Sequence, residues 1–548
     1  MTSRGCKFLL LLLSLLLLGF EWEGRQTRLR RELQEGDAAR RREVVRLLSS
    51  YSAAEVREPL LEALGDADPG VRAEAADAVG RVRLREAAPR LLDWLDDPEA
   101  DVRASAARAL GQIGEPRTVP ALVRLLGDTR TDVRKAAVAA LARIGTGTVV
   151  APLLGRLDDT DTSVRIEAAE ALGAIGDPQA TVPLVGRLRD DSPEVREAIY
   201  AALGRIGSSR ATPGLMQGLT DPSLEARLTA IGALGRVGGP EAVPSVVALV
   251  EDTDHRVARA AVAALGALGG EPATDALVAA LARRETRATA ASILVQTAPP
   301  NGADEARRTL VARLSRALDA ARGDLHATAI AEVLVRLGEQ APVPGGAPAL
   351  LRALDEGRGR LGALMRALAA TGSPDVLVPM LERLDSGDAE VRAAALEGLA
   401  LLFDRIPPDG RAADPLLAAL GSAPPEARPR VVRLLGRVGA KRAVPRLREL
   451  LEVEDPALRL ATVEALGDLG DPEGASALVP LLSDEDGRTR FEAARALAGA
   501  GTARTVESLL SLLADEAPRD RHAVLLGLGG TLARLERGDG VPPALATR

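Results

Sequence analysis

Cysteine, histidine and aromatic side chains are scarce in this chain of 548 residues, which holds one cysteine, three histidines, two tryptophans, two tyrosines and four phenylalanines. One cysteine, Cys6, excludes an intramolecular disulfide and leaves the redox compartment open. The histidines have no second histidine or cysteine nearby at metal-ligand spacing, and there is no P-loop or G-x-S-x-G motif. We therefore predict no catalytic residue, no metal site and no cofactor.

Charge of neither sign dominates the sequence. Lysine and arginine number 70 against 77 acidic residues, which gives a net charge of −7 with both signs well mixed along the chain. A dedicated nucleic-acid binder needs a basic face, so we predict that nucleic acid is not a partner. The same mixture predicts a soluble repeat body.

One arginine recurs at a fixed interval. In two long stretches it returns every 31 residues, and most copies have an aspartate six residues before it and a glycine eleven residues after it. The arginines are Arg72, Arg103, Arg134, Arg165, Arg196 and Arg227, and later Arg428, Arg459, Arg490 and Arg521. Three residue types on one period of this length predict a solenoid or repeat array.

Each repeat has room for two helices, which we name the A helix and the B helix. Leu122, Leu125 and Leu126 share one face of a short A helix, and proline recurs at the start of this helix. An alanine-rich B helix follows and ends at Gly145, because glycine readily takes the left-handed conformation after a helix. Since one such pair buries too little apolar surface to fold alone, we expect neighbouring repeats to stack.

The recurring aspartate and arginine suggest how the repeats are joined. We expect them to form a ladder of charge-assisted hydrogen bonds between adjacent repeats. The alternative is that the arginines bind an anion. The ladder is favoured because each arginine comes with its own aspartate.

The pattern L-x-D-x-x-x-x-V-R-x-x-A-x-x-A-L-G-x-I-G, present at 157–176, resembles the short HEAT repeat of the phycobilisome-lyase type. The resemblance covers nearly the whole chain after about residue 38. It implies an all-α fold, a right-handed α-solenoid (superhelix) of about 15 two-helix HEAT-like repeats with a period of 31 residues. It implies little about activity, because function resides in sites that are added to a fold.

Two classes of enzyme are built from such repeats. Deoxyhypusine hydroxylase needs repeated His-Glu pairs, and this chain has no His-Glu dipeptide. A phycobilin lyase handles a tetrapyrrole, for which a pocket should be lined by aromatic side chains and polar anchors. Trp94, Tyr200, Phe403 and Phe491 instead lie in different repeats. Chromophore handling, or another HEAT-repeat enzyme activity, remains the alternative function.

Residues 1–22 differ from the rest. Arg4 and Lys7 precede Phe8–Phe20, an apolar run rich in leucine. This pattern predicts a signal or membrane anchor through residues 8–22, with an uncleaved anchor favoured over a cleaved signal or a buried capping helix. We expect the protein to be membrane-anchored or exported, on the periplasmic or extracytoplasmic side, although the arginines after the run leave the side open.

The remaining boundaries follow composition and period. Residues 23–40 are predicted to be a charged linker or cap, with contact to anionic lipid as the alternative. Regular repeats are expected at 41–282, irregular ones with Pro/Gly loops at 283–375, further repeats at 376–537, and a tail at 538–548. The irregular section is interpreted as drift in the repeat, or as a bend where a partner docks.

One row of arginines stands out near the ends of the B helices. It consists of Arg81, Arg143, Arg205, Arg236 and Arg437, which occupy the same repeat position. One interpretation is that each cation stabilises a helix C-terminus. The other is a discontinuous basic row that binds an acidic protein. Together these observations predict a non-enzymatic protein-interaction scaffold whose protein partner the sequence does not identify.

Overall fold

The structure of the chain, a computed structural model, describes residues 28–145, 147–300, 304–514 and 521–537. Within these ranges every regular element is a helix and no β-strand occurs. The predicted all-α fold of stacked, HEAT-like helix pairs is therefore confirmed. The chain forms two compact units, Met1–Ala273 and Thr274–Arg548.

The first unit alternates short A helices with B helices of mostly 13 or 14 residues. The A helices are residues 28–35, Ala53–Ala63, Ala88–Asp93, Val119–Leu125, Val150–Leu154, Thr181–Gly186, Thr212–Gln217 and Val243–Ala248. The B helices are Ala38–Leu48, Pro69–Arg81, Ala100–Ile113, Thr131–Ile144, Thr162–Ile175, Pro193–Ile206, Leu224–Val237 and His255–Leu268. Turns of 3-10 helix flank many of the A helices.

Helix Gly270–Ala280 spans the division between the units, and the same alternation follows it. The later A helices are Glu305–Ala320, Ala347–Asp355, Leu377–Glu382, Ala413–Ser422, Val444–Leu450, Pro472–Leu478 and Ala503–Ala514. The B helices are Arg284–Thr297, Asp324–Gln340, Leu361–Ala370, Ala389–Phe403, Arg428–Arg437, Pro456–Leu469, Gly487–Ala500 and Arg521–Arg537.

Adjacent B helices approach closely through a glycine that faces an alanine of the next repeat. A Cβ atom added at Gly173 would lie 2.7 Å from the Cα and 2.9 Å from the Cβ of Ala202. The same relationship joins Gly204 to Ala233 and Gly436 to Ala465. The interior glycine of the B helix is therefore a packing residue, which explains why a poor helix former recurs there.

The predicted ladder of ion pairs is present. Arg196 Nε and Nη2 each lie 2.8 Å from a carboxylate oxygen of Asp221 in the next repeat. Its Nη1 also donates to the carbonyl of Asp190 in its own repeat, at 2.8 Å. The equivalent pairs are Arg41–Asp66, Arg72–Asp97, Arg103–Asp128, Arg134–Asp159, Arg165–Asp190 and Arg459–Asp484. These guanidinium groups are occupied within the protein, which favours the structural interpretation over anion binding.

The glycine that follows each B helix mostly adopts the predicted left-handed conformation. Its φ lies between 60° and 75° at Gly114, Gly145, Gly176, Gly207, Gly269, Gly439 and Gly470. The prediction is wrong at Gly238 and Gly501, where φ is −67° and −61°. Both helix ends continue in an extended conformation. After Gly238, Gly239 precedes Pro240, which disfavours a helical backbone at Gly239. At the helix that ends before Gly501, the Thr531 hydroxyl donates to the carbonyl of Leu497 at 2.8 Å.

The section at 283–375 contains longer helices than the regular repeats. Arg307, only 1% exposed, takes a role that the ladder arginines have elsewhere. Its guanidinium donates to the carbonyls of Pro299 at 2.8 Å and Ala341 at 3.1 Å, and to that of Leu337. Burial lowers the pKa of this guanidinium. A buried cation that binds main-chain carbonyls holds this section together without an aspartate.

The predicted membrane localisation requires correction. No helix in the described part of the chain combines the length and the apolar character needed to cross a membrane. The anchor predicted at residues 8–22 lies outside the described residues, as does the tail at 538–548. The membrane-anchored or exported localisation is therefore wrong on these findings.

Candidate partner-binding surface

The five arginines predicted as a binding row all lie in the last turn of a B helix. In the first unit they are Arg81, Arg143, Arg205 and Arg236, and each is exposed. Arg437 is the member in the second unit. Because the units are separate bodies, the four arginines of the first unit form one candidate surface, which we name the basic row.

Electrostatics explains why each of these arginines lies at the C-terminal end of its helix. Three of these B helices carry an exposed acidic residue in the first turn, namely Asp132, Glu194 and Glu225, and Asp101 has this place in the helix between those of Arg81 and Arg143. Acidic side chains are favoured at a helix N-terminus and basic ones at the C-terminus, where the backbone carbonyls carry partial negative charge. The B-helix face of the first unit is therefore acidic along one edge and basic along the other.

Arg437 stabilises a helix end, but the helix belongs to the preceding repeat. Its Nη2 lies 2.5 Å from the carbonyl of Phe403 and its Nη1 lies 3.3 Å from that of Ala400. The side chain of Asp404 is 2.8 Å from Nη1. Sequence reasoning placed the cation at the end of its own helix, and the structure corrects this to the neighbouring one. The side chain of Arg437 therefore connects two adjacent repeats.

The first-unit arginines are held much less firmly. Arg205 reaches the carbonyl of Glu170 and Arg236 reaches that of Gly204, both at 3.4 Å, the weak end of hydrogen-bond distances. Arg81 lies 3.4 Å from Glu74, a carboxylate that Arg46 already binds at 2.8 Å. Among the described residues, no carboxylate lies within ion-pair distance of Arg143. These guanidinium groups therefore keep donors that an incoming ligand can use.

A groove of about 560 Å³ opens at the beginning of the basic row. Arg81 and Arg143 line it, with Gln112 at the corresponding position of the repeat between them. No acidic residue belongs to this lining, and the Oε1 atom of Gln112 is buried without a hydrogen-bond partner. The groove is thus a positively charged, polar site that crosses three B helices.

Sequence reasoning missed a third arginine in this groove, Arg83. Arg83 lies eleven residues after Arg72, at the repeat position that glycine occupies elsewhere. Counting along the period reveals this replacement, but the sequence alone gives no indication that the side chain enters the groove beside Arg81.

In the repeat that follows Arg437, the row position carries the opposite charge. Asp468 occupies the equivalent helix end, and desolvation raises the pKa of its carboxyl group against the attraction of Arg495 and Arg437. The basic row is therefore not repeated along this part of the second unit.

Residues considered for enzymatic roles are not assembled into a site. The described residues contain no group of three histidine, cysteine or acidic side chains suited to a metal ion. His255, His326 and His522 lie on three different helices, and burial lowers the pKa of His326. Tyr200 and Phe403 are each 3% exposed, whereas Phe491 is 49% exposed. These aromatic side chains belong to separate repeats.

Comparison with known proteins establishes the family. The family model described as HEAT repeats matches residues 27–106, 88–165, 150–223, 212–295, 413–486 and 454–529. These matches cover more than half of the sequence. The chain therefore belongs to the HEAT-repeat family, and the predicted family is confirmed. No curated protein sequence matches it.

Several solved structures are similar to the chain. The complex of CpcE and CpcF of phycocyanin lyase from Nostoc sp. PCC7120 is 26% identical, covers 38% of this chain and 85% of that one, and aligns with a TM-score of 0.27. Kap95p in its complex with RanGDP is 15% identical over 95% of this chain and 85% of that one, with a TM-score of 0.45. Kap121p bound to Pho4p is 14% identical over 94% and 71%, with a TM-score of 0.41.

Proposed function

We propose that this chain is a non-enzymatic protein-interaction scaffold whose first unit binds an acidic protein through the basic row. The observation that supports this most is the contrast between two sets of arginines. The ladder arginines of the first unit donate to aspartates and main-chain carbonyls, whereas Arg143, Arg205 and Arg236 are exposed and weakly held. Arginine is enriched at protein interfaces because its planar group binds carboxylates and packs at low cost in hydration.

The chemistry of the surface favours a protein over a nucleic acid. The basic row is interrupted at Gln112 and Ala174, and exposed acidic residues line the opposite edge of the same helices. A phosphate backbone would meet repulsion from those carboxylates, whereas a protein segment can place neutral or basic side chains there. Pigment handling and other enzymatic activity lack a comparable supporting observation, because the aromatic side chains are dispersed.

A charge-reversal experiment tests the proposed function. The full chain is used as bait in parallel with the triple variant Arg143→Glu, Arg205→Glu and Arg236→Glu, and retained proteins are compared by quantitative mass spectrometry. The control is the triple variant Arg124→Glu, Arg189→Glu and Arg210→Glu, which makes the same change in net charge at exposed positions outside the row.

The expected result is that acidic proteins retained by the unmodified chain and by the control are lost from the row variant. Circular dichroism should be the same for all three, because the substituted side chains are exposed. Equal retention by the row variant and the control would contradict a binding role for the basic row.

A further inference from the structure

Arg83 has a backbone conformation that arginine rarely takes. Its φ is 53°, and among the described residues it is the only one besides glycine with a positive φ. The N–H of Leu84 donates to the carbonyl of Val79 at 2.9 Å, and the N–H of Arg83 donates to that of Gly80 at 3.0 Å. These bonds form the helix-ending motif in which glycine normally occupies the left-handed position. An arginine there destabilises the fold relative to glycine.

The equivalent helix end in the second unit contains the residue that this motif favours. Gly439 has a φ of 70°, and the N–H of Ala440 donates to the carbonyl of Leu435 at 3.1 Å. The backbone at Arg83 therefore has the same geometry with a strained residue in it. Strain of this kind is typical of positions where the side chain has a task.

The side chain of Arg83 enters the groove that Arg81 and Arg143 also line. None of the lining residues is acidic, and no carboxylate among the described residues forms an ion pair with Arg83. Gly80 and Gly111 also line the groove, and each packs against an alanine of the next B helix. Three arginines thus line one open, polar notch, which we name the arginine notch.

We infer that the arginine notch is the anchoring site for an extended, acidic segment of the protein partner; this rests on the proposed function and specifies its ligand. An extended segment fits better than a single anion because the notch continues into Arg205 and Arg236 along the same row. Carboxylates pair with guanidinium groups through two parallel hydrogen bonds, and several such pairs along a segment reinforce one another.

The repeat geometry sets the spacing of the acidic residues. Packed helices lie about 8–10 Å apart, and an extended chain rises about 3.3 Å per residue. A segment that crosses the B helices therefore advances by roughly three residues per repeat. A ligand with an acidic residue at every third position places one carboxylate at each row position, and alternate carboxylates meet Arg81, Arg143 and Arg205, which are two repeats apart.

The test is a fluorescence-anisotropy titration of the full chain with a labelled peptide of four Glu-Gly-Ser units. The key variant is Arg83→Gly, which removes a guanidinium and relieves the backbone strain. Binding should weaken by roughly twofold to fivefold, as expected for loss of one exposed ion pair, while the thermal unfolding midpoint rises. The control, Arg85→Ala, removes an exposed charge two residues away outside the notch and should bind as the unmodified chain does.

Two further measurements define the chemistry of the ligand. A peptide with glutamine in place of glutamate should not bind, and inorganic phosphate at equal charge concentration should compete poorly. Unchanged binding by Arg83→Gly, or displacement by phosphate as effective as by unlabelled peptide, overturns the inference. If the peptide fails to bind while the row variant still loses its protein partners, only the arginine notch is wrong. If the row variant also keeps its partners, the proposed function fails as well.

Discussion

Arg134 and Asp159 form a two-point ion pair across the boundary between adjacent repeats, with Nε–Oδ2 at 2.9 Å and Nη2–Oδ1 at 2.8 Å. Their side chains are only 11% and 4% exposed. Arg134 also donates to the carbonyl of Asp128 at 3.0 Å, so one guanidinium ties its own turn to the next repeat. Because water is largely excluded, removal of either partner leaves the other charge poorly compensated.

We predict that Arg134→Ala lowers the free energy of local opening by about 3 kcal/mol, because it leaves the buried Asp159 with only Arg156, 3.8 Å away, as a counter-charge. Hydrogen exchange of amides in helix Thr162–Ile175 measures this opening. The matched control is Arg187→Ala, which breaks a pair of the same geometry with Asp158, whose side chains are 45% and 60% exposed. That exposed pair should contribute less than about 1 kcal/mol. Equal effects at both sites would contradict the role given to burial.

The ladder predicts a loss of stability in acid. Burial on its own would raise the pKa of Asp159, but the hydrogen bonds from Arg134 and the backbone hold it below the ordinary 3.8. The pKa values of Asp66 and Asp128 are lowered against burial in the same way. A lowered folded-state pKa gives stability that is complete above the unfolded value and is lost as pH falls through the folded one.

Unfolding midpoints measured from pH 7 downward should therefore stay level until about pH 4 and then fall. Asp159→Asn should be less stable at pH 7 and should show a shallower fall, because it lacks one of the titrating groups. A parallel fall in the variant and the unmodified chain would show that this aspartate does not contribute to the acid response.

Two glycines of helix Leu224–Val237 provide a test of the close contact between B helices. A Cβ atom at Gly235 would lie 3.0 Å from the Cα of Ala264, whereas at Gly232 it would meet no atom within 4 Å. Gly232→Ala should stabilise the protein by about 0.5–1 kcal/mol, because alanine is the better helix former. Gly235→Val should destabilise it by about 1–3 kcal/mol through overpacking. Denaturant titration measures both, and destabilisation at Gly232 would contradict the assigned contacts.

Much of the fold follows from the period of the sequence. The constant spacing of arginine, aspartate and glycine identifies the two-helix repeat, and the pairing of Arg41 with Asp66 extends the ladder to the first B helix. These features depend on local spacing and on charge, both of which are visible in the sequence. The binding role of the basic row and the boundary at 282 remain predictions.

Contacts between repeats were harder to predict. The sequence does not distinguish the two glycines Gly173 and Gly176, of which only Gly176 ends the helix, whereas Gly173 packs against Ala202. Likewise, the sequence placed Arg437 at the end of its own helix, although it binds the carbonyls of the preceding one. Distances between helices decide both cases, and periodicity does not supply them. The sequence does not identify Arg83 as a groove residue, because one missing glycine is a weaker signal than a residue that recurs in every repeat.

The most direct test of partner binding by the basic row introduces an arginine at a gap in that row. Ala174 is exposed and lies at the row position between Arg143 and Arg205. The affinity of Ala174→Arg for the peptide of four Glu-Gly-Ser units is compared with that of Gln179→Arg, which adds the same charge at an exposed site outside the row. We predict that Ala174→Arg alone binds the peptide roughly twofold to fivefold more tightly and with a steeper salt dependence. Equal affinities for the two variants would contradict it.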